Sequence, residues 1–230
     1  GRSYKGIELS SEAGTLHSYK NRISYGNRFQ NGIEALFSAS YYDSDGQDRL
    51  NYSETYEENP WSCSYADPAN CVRLQDMWPA DTVVYGLNYE RYSNFFAGIK
   101  YKDLAIQGNY HSRKKGIPTA AWGSIFNHDP IFTIDTRSWL DVKYDHAFED
   151  RLTVSGHLNF NYYKYVGEYP YEGDPVAGEA DVVTGEDFAE GKWLHGDIQL
   201  TQSFIDRHLV TLGGSFQVNQ KQVQSSIITG

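Results

Sequence analysis

Ser155 and His157 stand two residues apart in a stretch where apolar and polar residues alternate, so both project from one face of an extended strand. A hydroxyl beside an imidazole has the makings of a nucleophile and its base. Any polar strand face produces such a pair, however, and the sequence identifies no carboxylate to orient the imidazole, so catalysis is not expected. His111, His157 and His195 occupy the polar faces of three such segments and are expected to be scattered polar residues, not ligands for metal or haem. Asp43, Asp45 and Asp48 crowd a Gly-containing stretch like a calcium loop, but the glutamate that closes an EF-hand is missing, and a solvated turn is the expected reading. Arg113, Lys114 and Lys115 form a compact basic run where a strand ends, a candidate contact for an anion or an ordinary solvated strand end. Trp61, Trp78 and Trp122 fall between strands, where they would touch a ligand or pack the loops; Trp122 joins the three aspartates and the basic run as a candidate ligand contact.

Cys63 and Cys71 share one polar segment rich in Pro, Asn and Asp, as expected of a local disulfide in an oxidising compartment. A metal pair would need two further ligands, and only carboxylates lie near. No phosphate loop, zinc signature or nucleophile elbow is present. The residues therefore predict binding without covalent chemistry, with no enzyme activity, cofactor or metal site.

The elements that position these residues are strands. Strict alternation runs through 19–29, where Tyr19, Ile23, Tyr25 and Phe29 share a face, and through 33–41, with Ile33, Ala35, Phe37, Ala39 and Tyr41. It recurs at 95–101, 104–113, 140–145, 152–162, 194–204 and 210–219. With an opening strand near 4–13, this makes about nine strands, most of roughly 10 residues or more. Soluble strands usually run about 5–6 residues, whereas a tilted strand crossing a bilayer needs about 9–11. Short links near 30–32, 102–103, 149–151 and 205–207 carry hairpin-forming Asn-Gly or Asp. Long links fall near 43–83, 114–136 and 166–191. One rim of tight turns and one of long loops is the habit of outer-membrane barrels. Tyr25, Phe29, Tyr101, Tyr144, Phe148 and Phe204 near the turns, and Tyr41, Tyr42, Tyr162, Tyr163, Tyr165 and Trp193 toward the loops, are expected to form two aromatic girdles. The fold class expected is all-β: an antiparallel up-and-down meander of about nine long strands spanning 1–230, a partial transmembrane β-barrel.

Totals agree. Tyr (19), Phe (11) and Trp (5) are abundant among 230 residues. Mean hydropathy is −0.61, and no stretch approaches the roughly 18 apolar residues of a spanning helix. That excludes a helical membrane protein and leaves a barrel open, since only alternate residues of its strands meet lipid. A net charge of −10 argues against nucleic acid. Gly1-Arg2-Ser3 opens the chain and Met77 is its only methionine, so a processed form or a fragment is expected.

At residue level, Gly6–Ser10 and Gly14–Gly26 resemble the first two barrel strands of TonB-dependent outer-membrane receptors, and 31–46 resembles their third strand entering an external loop. Phe95-Phe96-Ala97-Gly98 and the run from Ser112 to Ala120 are similar to later hairpins in one branch of that family. The resemblance covers essentially the whole chain. It implies a barrel of about 22 strands with a plugged lumen, and import of a scarce nutrient such as a ferric siderophore or cobalamin, energised through TonB. The implied setting is the outer membrane of a Gram-negative bacterium. The implied partners are outer-membrane lipid and lipopolysaccharide, a metal chelate or similar small ligand, and the TonB complex through a plug region that this chain lacks; the chain is expected to be monomeric. Nine strands do not close a barrel, so this piece is not expected to transport alone. Two rivals are a passive porin and a soluble carbohydrate-binding β-sandwich.

Overall fold

The computed structural model describes residues 5–52, 61–63, 71–73, 83–148, 151–173, 182–205 and 208–229, without the side chains of 61–63, 71–73, 204 and 205. Thirteen strands are described: β1 (Gly6–Ala13), β2 (Tyr19–Arg28), β3 (Glu34–Ser44), β4 (Arg49–Asn51), β5 (Trp61–Cys63), β6 (Cys71–Arg73), β7 (Val83–Tyr85), β8 (Glu90–Tyr101), β9 (Leu104–Gly116), β10 (Phe132–Phe148), β11 (Leu152–Glu172), β12 (Val182–Ile205) and β13 (His208–Thr229). Nine of them form one antiparallel meander in the order β1-β2-β3-β8-β9-β10-β11-β12-β13. The expected nine-stranded sheet is therefore present. No α-helix occurs among the described residues; a single 3-10 turn spans Ala121–Gly123. β1 and β13 each pair on one side only, so the sheet has two open edges in this chain.

Residues directly opposed across antiparallel strands share a face, so the register sorts the whole sheet. Ile7, Tyr25, Phe37, Ala97, Gly108, Leu140, Phe160, Leu194 and Val218 make one row across all nine strands. The next row on the other face holds Gln107, Asp141, Asn159, His195 and Gln217. One face is apolar and the other is lined by amides and charges. The two rims are also staggered. Ala97, Leu140 and Leu194 share a row, yet they stand four, eight and eleven residues from the strand ends Tyr101, Phe148 and Ile205. The offset grows progressively along the meander.

The strands overrun their expected bounds. β9 continues to Gly116 and β10 begins at Phe132, so the link is 117–131 and not 114–136; β11 and β12 extend to Glu172 and from Val182, leaving 173–181 in place of 166–191. In the extensions of β11 and β12 the apolar–polar alternation gives way, with Lys164, Glu168, Glu186 and Glu190 on the face that is apolar lower down, and cross-strand hydrogen bonds hold the strands together. The first link, expected at 43–83, runs from 45 to 89, because β3 ends at Ser44 and β8 begins at Glu90; its described residues include two small ladders, β4 with β7 and β5 with β6.

The buried core is small and sits at the long-loop rim. Val84 and Tyr169 (each 1 % exposed), Leu87, Phe126 and Ile131 pack together, with Tyr52, Ile117, Ala120 and Tyr171 beside them. Tyr169 stands on the polar face of β11, so the 83–89 and 117–131 segments fold over that face. Gly116, at the end of β9 and on the parity of the apolar face, lets the Leu87–Tyr89 backbone pass close as it crosses the strand end. Its N–H donates to the Tyr89 carbonyl (3.0 Å), and a Cβ there would stand 2.3 Å from the Leu87 carbonyl oxygen. Gly116→Ala is expected to loosen the 83–89 segment at a cost of about 1–3 kcal/mol, seen as a lower Tm and faster proteolysis there. Gly156→Ala, which meets nothing within 4 Å, should show neither effect.

Candidate functional site

The polar face carries the chemistry, and it divides into a lower lattice and an upper, long-loop region. In the lattice, Asp141 is buried at the centre of β10. It accepts from Gln107 Nε2 (3.2 Å) and Asn159 Nδ2 (3.1 Å), meets His157 Nε2 through the same carboxylate, and faces Lys143 Nζ at 3.6 Å. The other ring nitrogen of His157, Nδ1, faces Asp197 Oδ2 at 3.3 Å. β9, β10, β11 and β12 are thus stitched side chain to side chain, one residue type from each satisfying its neighbour. The sequence reading found no carboxylate for His157; the fold supplies two, from strands distant in sequence. Both imidazole nitrogens are turned to them, so neither is turned to Ser155, and the arrangement holds a wall together without preparing a nucleophile. His195 lies against His157 at 6.1 Å between ring centroids, and His111 tilts against Tyr92 at 5.7 Å. No group of three or more His, Cys, Asp or Glu among the described residues is placed to hold a metal ion.

The upper region is richer in rings and cations. Tyr42 stacks on Tyr92 at 4.9 Å, Arg137 lies over the Tyr163 ring at 5.6 Å, and the Tyr163 hydroxyl donates to Asp135 (3.2 Å). Tyr165 and Tyr169 share a 2.6 Å hydroxyl contact, and burial together with that contact pushes the Tyr165 phenol well above its ordinary value. These polar-face tyrosines correct an expectation. Of the six aromatics assigned to the outer girdle, Tyr41 and Tyr162 lie on the apolar face, while Tyr42, Tyr163, Tyr165 and Trp193 fall on the polar one. Nearness to a strand end had stood in for parity, and the two-residue period of the pleat decides the face.

Parity also divides the basic run. Arg113 points to the polar face, where its guanidinium donates to Glu90 (2.8 Å), and Lys115 Nζ donates to Asn88 at its carbonyl (2.9 Å) and side-chain oxygen (2.8 Å). Lys114 points the other way, 3.6 Å over the Phe132 ring. A cluster compact in sequence is two separate surfaces in the sheet. The three aspartates likewise do not converge. Asp43 is engaged by Arg91 (3.1 Å) and the Tyr41 hydroxyl (2.8 Å), and Asp45 by His17 (3.1 Å). Asp45 and Asp48 line a hollow of about 520 Å³ with His17, Tyr89 and Arg91, and Asp43 is not part of its lining. Trp122 is 79 % exposed in a left-handed backbone conformation (φ 60°), on a segment pinned by Ile125 N–H to the Pro170 carbonyl (2.8 Å). Cys63 and Cys71 pair in register across β5 and β6; their side chains, like Trp78, lie outside the described residues.

The residues that the sequence reading missed are Asp135, Arg137, Asp141 and Asp197. Their signal was weak: each is one polar position among many in an alternating strand, and only the register of neighbouring strands makes it a partner. Comparison of the chain with protein-family models, with curated proteins and with solved structures gives no match.

The Glu90–Arg113 pair gives a pH dependence. The hydrogen bond from Arg113 holds the Glu90 carboxyl below its ordinary value of 4.5. A depressed folded value means that the pair's stabilisation is complete above about pH 4.5 and is lost as pH falls through the folded value. Melting temperatures taken between neutral pH and about pH 3 should therefore fall more steeply for the native chain than for Glu90→Gln, which never carries that charge.

Proposed function

We propose that this chain is the N-terminal wall of an outer-membrane β-barrel receptor of the TonB-dependent kind, an active transporter for a scarce nutrient such as a ferric siderophore or cobalamin. The observation that carries the reading is the continuous apolar face. Ile7, Ile23, Phe95, Ile106, Leu140, Ile198 (56 % exposed) and Phe216 stand uncovered on one side of the sheet. Soluble monomers rarely leave contiguous apolar patches larger than a few hundred Å² open to water. A sandwich would lay a second sheet across them, and among the described residues the only other sheets are the two small ladders. Lipid is the solvent that fits.

The dimensions support this. On β11 the apolar-face residues run Leu152, Val154, Gly156, Leu158, Phe160 and Tyr162 before Lys164. Ten residues rise about 33 Å, and a tilt of roughly 40° reduces that to about 25 Å, the height of an outer-membrane apolar band. The polar face, with its buried Asp141 lattice, then belongs to the lumen. The region above it, with Arg137, Tyr163, Tyr92 and the presented Trp122, is where a ligand would first be met. The family resemblance, not the sheet, chooses a receptor over a passive pore; selectivity would rest on these inward rings and cations and on the outer loops.

Nitroxide labels at Val154, Ser155, Leu158 and Asn159, in the chain folded into lipid vesicles, test the orientation. Dissolved oxygen should relax the labels at 154 and 158, and a water-soluble nickel chelate those at 155 and 159. Equal access of the nickel chelate to all four would remove the membrane reading. In the same vesicles, Leu158→Arg should cost about 2–4 kcal/mol of insertion free energy and Asn159→Arg far less.

A further inference from the structure

On the apolar face, the rows just above the hydrophobic band change character abruptly. Lys192 follows Leu194 on β12, Lys164 follows Tyr162 on β11, and Lys221 stands opposite Lys192 on β13. They lie 12, 13 and 13 residues from the strand ends Leu152 (for Lys164), Ile205 (for Lys192) and His208 (for Lys221), one height in a tilted sheet. One carboxylate lies among them: Glu190 takes Lys192 Nζ at 2.9 Å and Lys221 Nζ at 2.5 Å, and its Cα partner across the ladder is Lys164. Lys164 lies 5.8 Å over the Phe188 ring and Lys192 5.4 Å over the Tyr162 ring. Three cations against one anion leave a local charge of +2 on a protein whose net charge is −10. On β11 and β12 themselves, the next charges on that face, Glu168 and Glu186, stand four residues higher, roughly 13 Å away and beyond the Debye length of about 8–10 Å.

We propose that Lys164, Lys192 and Lys221, gathered about Glu190 at the upper margin of the apolar face, dock the phosphate of an anionic outer-leaflet lipid. The inference rests on the membrane reading above. The occupant follows from charge and position. The patch is cationic where its surroundings are acidic, it borders the apolar band directly, and its rings lie at the level of a lipid headgroup. Glu190 holds two ammonium groups side by side and ready for an anion. A soluble ligand drawn into the lumen would meet the opposite face. Lys114 stands on the same face of β9, ten residues from Leu104, and Arg91 beside it on β8 is neutralised by Asp43 at 3.1 Å.

The test is native mass spectrometry of the chain in neutral detergent with added diphosphoryl lipid A or phosphatidylcholine. The native chain should retain lipid A in preference to phosphatidylcholine. Lys164→Gln/Lys192→Gln/Lys221→Gln should lower that preference by about fivefold per lysine removed. Glu190→Gln, which removes the sole carboxylate of the patch, should raise it, so a triple variant that fails to fold does not leave the matter open. Excess inorganic phosphate should not displace the lipid; if it does, the site recognises free phosphate and the lipid proposal is overturned. Retention unchanged in both variants overturns it equally. A chain that inserts into neutral vesicles but shows no preference for lipid A refutes this inference alone, whereas a chain that enters no bilayer refutes the membrane reading too.

Discussion

Everything in this sheet depends on the backbone ladder and the two-residue period it enforces. Each hydrogen-bonded pair fixes two side chains on the same side, and a shift of one residue would exchange the faces of an entire strand. From β1 to β13 the register stays continuous, with irregularities between Lys192 and Trp193 and between Ser203 and Ile205 on β12. Because the register holds, an apolar row and a polar row alternate across nine strands. Without it the same composition would be a scatter of tyrosines and charges.

The polar face shows why the register has to be so strict. Asp141 is buried with charge, and a buried charge lacking partners costs several kcal/mol. Its partners Gln107, His157 and Asn159 come from the strands on both sides, and Asp197 reaches His157 from one strand further. The lattice forms only if four strands agree in register at once. A slip of any of them would leave a carboxylate uncompensated, which makes the lattice a device for specifying the pairing as well as for stabilising it.

Much of the fold was legible in the sequence, and the reason is local. Alternation within β2, β3, β11 and β13 and the Asn31-Gly32 turn are readable one strand at a time, because the pleat and the turn chemistry act over a few residues. The site was legible only in part. Arg113, Lys114 and Lys115 are neighbours along the chain, but the pleat sends Lys114 to the face opposite the other two. Asp43 and Asp45 look like a pair and are claimed by Arg91 and His17, which stand elsewhere in the chain. The outer aromatics were placed by distance from a loop, and the correct face follows from counting odd and even positions. What local periodicity does not contain is which strand lies beside which, and the Asp141 lattice and the Glu190 lysines are made of that information.

The strands also grow along the chain, from 8 residues in β1 and 10 in β2 to 21 in β11 and 24 in β12. At about 3.4 Å per residue, the wall climbs from roughly 30 Å to roughly 80 Å along the strand direction. The rim is therefore a ramp. In the barrel we propose, a molecule arriving from outside would meet a high palisade at β11–β13 and a low sill at β1–β3, a preferred side of approach set before any side chain makes contact.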